Sequence, residues 1–123
     1  MSRVRSRDTA PEVIVRRVMS ALGCRYRLHV AHLPGCPDIV LRSRKRIVFV
    51  HGCFWHQHNC KRGARRPKTN RAYWDSKLAR NKERDRQTCA KLRRDGWRIL
   101  VIWECQTTNI DRLTARLARL LAD

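Results

Sequence analysis

The sequence has 123 residues, with 29 lysines and arginines against 10 aspartates and glutamates, for a formal charge of +19 at pH 7. This length favours a single domain over residues 1–123, and we expect a basic arm at 1–8. An excess of positive charge destabilises a folded chain unless a polyanion compensates it, and nucleic acid is the usual polyanion. No apolar run approaches the roughly 20 residues that a bilayer span needs, and the basic start lacks the apolar segment of a secretory signal. We therefore expect a nucleic-acid-binding protein of the reducing cytoplasm, where clustered Cys and His residues act as metal ligands rather than forming disulfides.

A helix and a short strand are predicted at the start of the chain. Thr9 and Glu12 fit a capping box, and apolar residues at helical spacing follow until Gly23, which predicts a helix over roughly 10–22. The alternating stretch "YRLHV" is typical of a short strand, and "LPGCP" is typical of a turn.

The segment "DIVLRSRKRIVFVH" predicts a β-hairpin. Two β-rich runs, 38–41 and 46–51, flank the polar "RSRK". A turn centred on Arg44 and Lys45 would place Asp38 directly opposite His51.

The rest of the chain predicts two more helices and one more strand. After a basic loop, a long polar helix is expected from about Arg71 to Arg94, closed by Gly96. "WRILVIW" is typical of a buried strand, and Asn109 can cap a final amphipathic helix. This order of elements indicates an α/β fold, a mixed central sheet with helices on its faces.

The segment "HGCFWHQHNC", residues 51–60, has the composition of a zinc site. Zinc takes four tetrahedral ligands from Cys and His. Three candidates lie in this segment and a fourth follows the last strand: Cys53, His58, Cys60 and Cys105. His51 and His56 compete for the histidine position. The three cysteines outside this set are interpreted as ordinary cysteines.

The histidines that zinc does not take are candidates for catalysis. A neutral imidazole can act as a general base near pH 7, although a histidine can equally be structural. Phosphodiester hydrolysis usually needs a divalent ion held by carboxylate oxygens. Asp38 is the best candidate, although it could be a turn residue after Pro37, and Glu12 is equally explained by the capping box.

Large aromatic side chains lie close to these residues. Phe54 and Trp55 fall between the presumed zinc ligands, and Trp74 begins the long helix. Aromatic residues among basic ones can stack on bases or wedge between base pairs, although single aromatics more often belong to the core.

Four stretches together resemble the very short patch repair endonucleases, the Vsr family: "LPGCPDIVL", "IVFVHGCFWHQHNC", "PKTNRAYWDSKLARNKERDRQ" and "GWRILVIWEC". The resemblance implies membership of the PD-(D/E)xK superfamily, with a restriction-endonuclease-like sheet and a structural zinc site. It also implies nicking 5′ of the thymine in a T:G mismatch left by deamination of 5-methylcytosine, with magnesium for catalysis.

The resemblance assigns roles to individual residues. The family's catalytic positions match Asp38, which would bind magnesium, and His51, His56 and Glu12, with His56 as the base for the attacking water. Zinc would be held by Cys53, His58, Cys60 and Cys105, and magnesium also by the backbone carbonyl of Val50. Contacts to DNA are implied for the aromatic wedge and for basic residues, namely Phe54, Trp55, Trp74, Arg3, Arg5, Arg7 and Lys68.

Three features depart from the family's pattern. Val50 stands where the best-known members have Thr, "FVH" occupies the strand where the superfamily has E-x-K, and the basic loop after Cys60 is slightly longer. The alternatives are a related nuclease without a mismatch requirement and a non-catalytic, zinc-stabilised DNA-binding module. The expected partners are mismatched double-stranded DNA, mismatch-repair proteins and a repair polymerase. A monomer is expected because nicking one strand requires one active site, and the expected location is the cytoplasm, at a bacterial-type nucleoid.

Overall fold

A computed structural model describes residues 9–53 and 69–122 and contains the elements that the sequence predicts. The helices and strands within these ranges are α1 (Ala10–Ala21), β1 (Arg27–Leu28), β2 (Ile39–Leu41), β3 (Arg46–His51), α2 (Arg71–Arg94), β4 (Arg98–Trp103) and α3 (Ile110–Ala122). Short 3₁₀ turns occupy Arg42–Arg44 and Glu104–Thr107. The Asn109 side chain accepts a 3.1 Å hydrogen bond from the backbone N–H of Arg112, which confirms the predicted cap of α3.

The four strands form one mixed sheet in the order β1-β2-β3-β4. The pairs β1–β2 and β2–β3 are antiparallel, whereas the pair β3–β4 is parallel. Side chains alternate between the two faces along each strand. One face packs against α1 and α3 through Ile39, Val48 and Ile102, and the other packs against α2 through Val40 and Ile47. The predicted mixed α/β sheet with flanking helices is confirmed.

The register of the β2–β3 hairpin differs from the predicted one. Ile39 pairs with Val48 and Leu41 with Arg46, so the next step along the ladder sets Asp38 opposite Phe49. The predicted pairing of Asp38 with His51 is wrong because the turn is centred one residue earlier, with Lys45 in the left-handed region at φ 52°. The partner of Asp38 moves by two residues, and a shift of two keeps every side chain on its predicted face.

The tip of this hairpin is fastened to the ends of two helices. Arg44 donates to the carbonyl of Leu121 at 2.5 Å, and the Nε of Arg46 donates to the carbonyl of Leu120 at 3.2 Å. Lys45 donates to the carbonyl of Asp95 at 2.6 Å, just beyond α2. The last carbonyls of a helix have no partner within it and carry the negative end of its dipole. These three basic residues therefore stabilise the C-terminal ends of α2 and α3.

None of the helices in residues 9–53 and 69–122 has the length and apolar character that crossing a bilayer requires.

Candidate active site

Two strand ends and one helix bring together an acidic and imidazole cluster, Glu12, His29 and Asp38. Asp38 immediately precedes β2 and His29 immediately follows β1. The ladder continues past these strands, since the backbone N–H of His29 donates to the carbonyl of Asp38 at 3.1 Å. Glu12 lies in the first turn of α1 and is only 2% exposed. Residues from separate parts of the chain therefore converge at one end of the sheet.

The distances within this cluster suit binding of a cation. Nε2 of His29 lies 2.7 Å from Oε1 of Glu12. One potential ligand atom from each of the three residues lies within 4.8 Å of the others. Oδ2 of Asp38 accepts a 2.7 Å hydrogen bond from the backbone N–H of Val50, which fixes the carboxylate against β3. Two carboxylates at this spacing can hold a divalent ion through oxygen.

The role of Glu12 differs from the capping box that the sequence predicts. Thr9 is the N-cap residue of α1, but its side chain makes no capping hydrogen bond. Instead, the carboxylate of Glu12 is buried and bonded to His29. A glutamate in a capping box would turn back to the helix start, so the capping-box interpretation is wrong and the carboxylate belongs to the cluster.

The carboxyl group of Asp38 is unusually hard to ionise. Burial raises the pKa of Asp38 from 3.8 to about 7, because an apolar environment disfavours the charged form. The hydrogen bond from Val50 lowers this pKa, the nearby Glu12 raises it through charge and hydrogen bonding, and the charge of His29 lowers it. A bound cation would favour the ionised form of Asp38. Binding of a metal ion would therefore release the proton of this carboxyl group.

This raised pKa leads to an expected dependence of stability on pH. A carboxyl whose pKa is higher in the folded state stabilises the fold fully below about pH 3.8, and that contribution is lost as the pH rises through about 7. Without added divalent ions, we expect Asp38→Asn to be more stable than the parent at pH 8 but not at pH 4. The gap should reach a few kcal/mol, since one pKa unit corresponds to about 1.4 kcal/mol. Urea unfolding at both pH values measures it. Asp111→Asn on α3 is the charge-matched control, and an equal gap for both variants would contradict the burial of the Asp38 charge.

A pocket of about 420 Å³ opens beside the cluster, between the end of the sheet and α2. Its sheet side includes Asp38, Val50 and His51, and its α2 side includes Arg84 and Asp85. The ring of His51 is 8% exposed and lies between two aromatic rings, 5.5 Å from that of Phe49 and 5.3 Å from that of Trp103. The pocket therefore combines two carboxylates, an arginine and two histidines, His29 and His51.

The turn before Asp38 approaches α2 closely. Gly35 has φ +76°, and a Cβ at this position would lie 2.5 Å from Cγ2 of Thr88. Only glycine meets both demands, a left-handed backbone and the absence of a side chain. Gly35 and Thr88 both line the pocket next to the cluster.

Two of the proposed zinc ligands lie side by side just beyond the C-terminal ends of β3 and β4, at the same end of the sheet as the cluster. His51 pairs with Trp103 in the parallel ladder, and Cys53 and Cys105 each follow two residues later. The backbone N–H of Cys105 donates to Sγ of Cys53 at 3.4 Å, and the N–H of Cys53 donates to Glu104 at 3.4 Å. Cys53 is fully buried. A buried cysteine sulfur that accepts a backbone N–H, with a second cysteine beside it just past the neighbouring strand, fits one half of a tetrahedral zinc site.

Comparison with known proteins places the chain in a family. Residues 1–62 match the family model described as DNA mismatch endonuclease Vsr. The DNA mismatch endonuclease Vsr of Escherichia coli is 38% identical over 114 residues, which cover 93% of this chain and 72% of that protein. The chain belongs to the Vsr family.

Other relatives carry a different description. The Type II nicking enzyme V.XorIIP of Xanthomonas oryzae is 46% identical over 121 residues, covering 98% of this chain and 88% of that protein. The Type II nicking enzyme V.NmeAIP of Neisseria meningitidis is 40% identical over 123 residues, covering 100% and 87%. The Vsr-family resemblance seen in the sequence is thus confirmed over most of the chain.

Of the aromatic and basic residues that are predicted to contact DNA, only Trp74 lies within the described residues. Trp74 lies in the first turn of α2, half-buried, with the ammonium group of Lys77 5.7 Å from its ring centre. Its neighbour Tyr73 is 55% exposed. The remaining predicted site residues lie outside the described residues, namely Arg3, Arg5, Arg7, Phe54, Trp55, His56, His58, Cys60 and Lys68.

His29 is the residue of this cluster to which the sequence alone assigns no role. The alternating pattern of "YRLHV" indicates only an ordinary strand at this position. A signal was available, because pairing that strand with the one after Asp38 sets a histidine beside the candidate carboxylate. Its backbone φ of 49°, uncommon for a residue other than glycine, is visible only in the structure.

Proposed function

We propose that this chain is a DNA endonuclease that nicks one strand 5′ of the thymine in a T:G mismatch and so initiates very short patch repair. The observation that carries the proposal is the Glu12–His29–Asp38 cluster, in which Glu12 is buried and the other two are half-buried, opening into the pocket beside His51 within a Vsr-family chain. Buried carboxylates in an otherwise basic protein are costly unless a cation uses them.

Magnesium fits this cluster. Its ligands in proteins are hard oxygens, and Asp38 offers carboxylate oxygens, with the backbone carbonyl of Val50 as the further ligand that we propose. Glu12 is the second carboxylate at the site. When bound, the ion neutralises phosphate charge and stabilises the leaving oxygen.

The protein side chains orient and activate the water. His56 accepts a proton from the water as its oxygen attacks phosphorus, the bond to the 3′ oxygen breaks, and that oxygen takes up a proton from solvent, leaving a 3′-hydroxyl and a 5′-phosphate. His51, held between the rings of Phe49 and Trp103, faces the same pocket. Its position suits contact with the scissile phosphate.

A structural zinc ion would tie the histidine segment to the sheet. The adjacent Cys53 and Cys105 support this proposal, and His58 and Cys60 are the other two proposed ligands. Such a closed site would fix the position of His56, which lies between two of these ligands in the sequence.

DNA binding would use aromatic and basic side chains around this site. Phe54, Trp55 and Trp74 would wedge next to the mismatch, where a T:G wobble pair costs less to unstack than a matched pair. Phosphate contacts are proposed for basic residues of the N-terminal arm and loop, namely Arg3, Arg5, Arg7 and Lys68.

We further propose that residues 1–123 act as one endonuclease domain and as a monomer. Its place would be the bacterial cytoplasm at the nucleoid, with mismatch-repair proteins and a repair polymerase acting on the same lesion.

A labelled duplex with one T:G mismatch, compared with a T:A control in the presence of magnesium, tests the function. Because the sequence context is open, a small set of duplexes varies the flanking bases. We expect one nick, 5′ of the thymine, in a mismatched duplex only. Binding without cleavage in any context would contradict the endonuclease function.

A second candidate is an endonuclease that nicks without needing the mismatch. It is favoured by the description of two relatives as Type II nicking enzymes. Equal nicking of the T:G and T:A duplexes would select this candidate and reject the mismatch requirement.

The wedge proposal leads to a separate expectation for Trp55→Ala. We expect the ratio of T:G to T:A binding to fall about tenfold, because stacking on an aromatic ring is worth about 1–3 kcal/mol per base. Competition binding with both duplexes measures this ratio. Tyr73→Ala, which removes an exposed aromatic on α2, is the matched control. An equal loss of affinity for both duplexes in Trp55→Ala would reject the wedge.

A further inference from the structure

His29 is held firmly in a position that faces a buried carboxylate. Its side chain is 11% exposed, and Nε2 lies 2.7 Å from Oε1 of Glu12. Its backbone N–H is bonded to the carbonyl of Asp38 while its φ is +49°, in the left-handed region. Residues other than glycine adopt this conformation at an energetic cost. Such backbone strain tends to occur where the orientation of a side chain is needed for function.

The 2.7 Å distance between Nε2 of His29 and Oε1 of Glu12 indicates a hydrogen bond between the imidazole and the carboxylate. A carboxylate accepts hydrogen bonds, so we assign the tautomer in which Nε2 of His29 is the donor and Oε1 of Glu12 the acceptor. A ring nitrogen that donates its proton has no lone pair for a metal ion. The atoms available to the ion are therefore carboxylate oxygens, which is the ligand type that magnesium prefers.

We propose that His29 is a positioning residue for the cation site, and this inference rests on the proposed metal-dependent nuclease function. By donating to Oε1, His29 fixes the rotation of the Glu12 carboxylate beside Asp38. Hydrogen bonds of this kind to metal-binding carboxylates typically change metal affinity by about 10–100-fold when removed. The histidine acts through Glu12 and touches neither the phosphate nor the water.

Two substitutions separate the hydrogen bond from other effects of the ring. His29→Ala removes the donor, whereas His29→Gln places an amide N–H near the position of Nε2 and keeps it. His32→Ala is the matched control, since His32 belongs to the same loop but is exposed and contacts Arg42 instead. Thermal melting confirms that each variant is folded.

The first measurement is Mn²⁺ binding to the full chain, followed by electron paramagnetic resonance, with no DNA present. The second is the Mg²⁺ concentration that gives half-maximal nicking of the T:G duplex in a single turnover. We expect His29→Ala to weaken Mn²⁺ binding and to raise the half-saturating Mg²⁺ concentration, each by about tenfold or more. The rate at saturating Mg²⁺ should stay close to that of the parent. His29→Gln should recover both values to within about threefold, and His32→Ala should match the parent.

Three results would overturn the inference alone. If His29→Gln is as impaired as His29→Ala, the donor is not what matters. If His29→Gln loses Mn²⁺ affinity but keeps its Mg²⁺ dependence, the imidazole is itself a ligand. If the parent binds Mn²⁺ and nicks while His29→Ala does both equally well, the positioning role falls alone. A parent that neither binds Mn²⁺ better than Asp38→Asn nor nicks would reject the proposed function together with this inference.

Discussion

Asp38→Asn should abolish nicking of the mismatched duplex while leaving DNA affinity close to that of the parent. The substitution keeps the shape of the side chain and removes the charge that would hold the cation. Metal stabilisation of a phosphoryl transition state is worth several kcal/mol, and about 1.4 kcal/mol corresponds to a tenfold change in rate. We therefore expect a loss of at least about 10³-fold in the single-turnover rate at saturating magnesium.

The binding measurement separates this loss from misfolding. Asp38 is proposed to contact the ion and no phosphate oxygen directly, so the dissociation constant for the T:G duplex should change by less than about threefold. Asp111→Asn on α3 makes the same chemical change away from the site and should keep the parental rate. Nicking by Asp38→Asn at a rate near that of the parent would remove Asp38 from the mechanism.

Replacing Cys105 or Cys60 with alanine should cause a large loss of stability. A metal that binds only the folded chain contributes its binding free energy to folding. Cys105 is bonded through its backbone to the sulfur of Cys53, so losing either proposed ligand would release the sheet end that supports the histidine segment. We expect a loss of at least about 3 kcal/mol, or about 10 °C in Tm, together with loss of bound zinc measured by atomic emission.

Cys89→Ala provides the comparison. Cys89 lies on α2 and is partly buried against the face of the sheet that packs on this helix. Burial raises the pKa of its thiol and so favours the protonated form. This variant should keep its zinc and lose only the packing of one small side chain. If Cys60→Ala and Cys105→Ala retain both their zinc content and their melting temperature, the proposed ligand set is refuted.

The secondary structure was predictable because its signals are local. Periodic apolar residues predicted α1 and α3, and Gly96 and Asn109 marked where helices end and begin. The faces of the sheet were also predictable, since alternation along β3 survives the error in register. That error arose because a 3₁₀ turn over Arg42–Arg44 and a left-handed Lys45 form a four-residue loop centred one residue earlier, and neither feature follows from the composition of "RSRK".

The candidate site was harder to predict because it depends on contacts between distant segments. Asp38 was identifiable from its motif, but Glu12 had a local explanation that the structure does not support. The local sequence around His29 indicates no functional role for it. The histidine comes next to Asp38 only when β1 pairs with β2. The pairing of Cys53 with Cys105 likewise depends on the parallel register of β3 and β4, which requires a crossover.

The hairpin between β2 and β3 lowers the number of basic side chains that are available to bind DNA phosphates. Arg44, Lys45 and Arg46 direct their side chains to backbone carbonyls at the ends of two helices. Cations committed in this way displace few counterions from a DNA backbone. A plot of the logarithm of the DNA-binding constant against the logarithm of the salt concentration has a slope of about −0.9 for each phosphate that the protein neutralises. The slope therefore measures the number of phosphate contacts. It should therefore reflect a smaller set of side chains than the formal charge of +19 suggests.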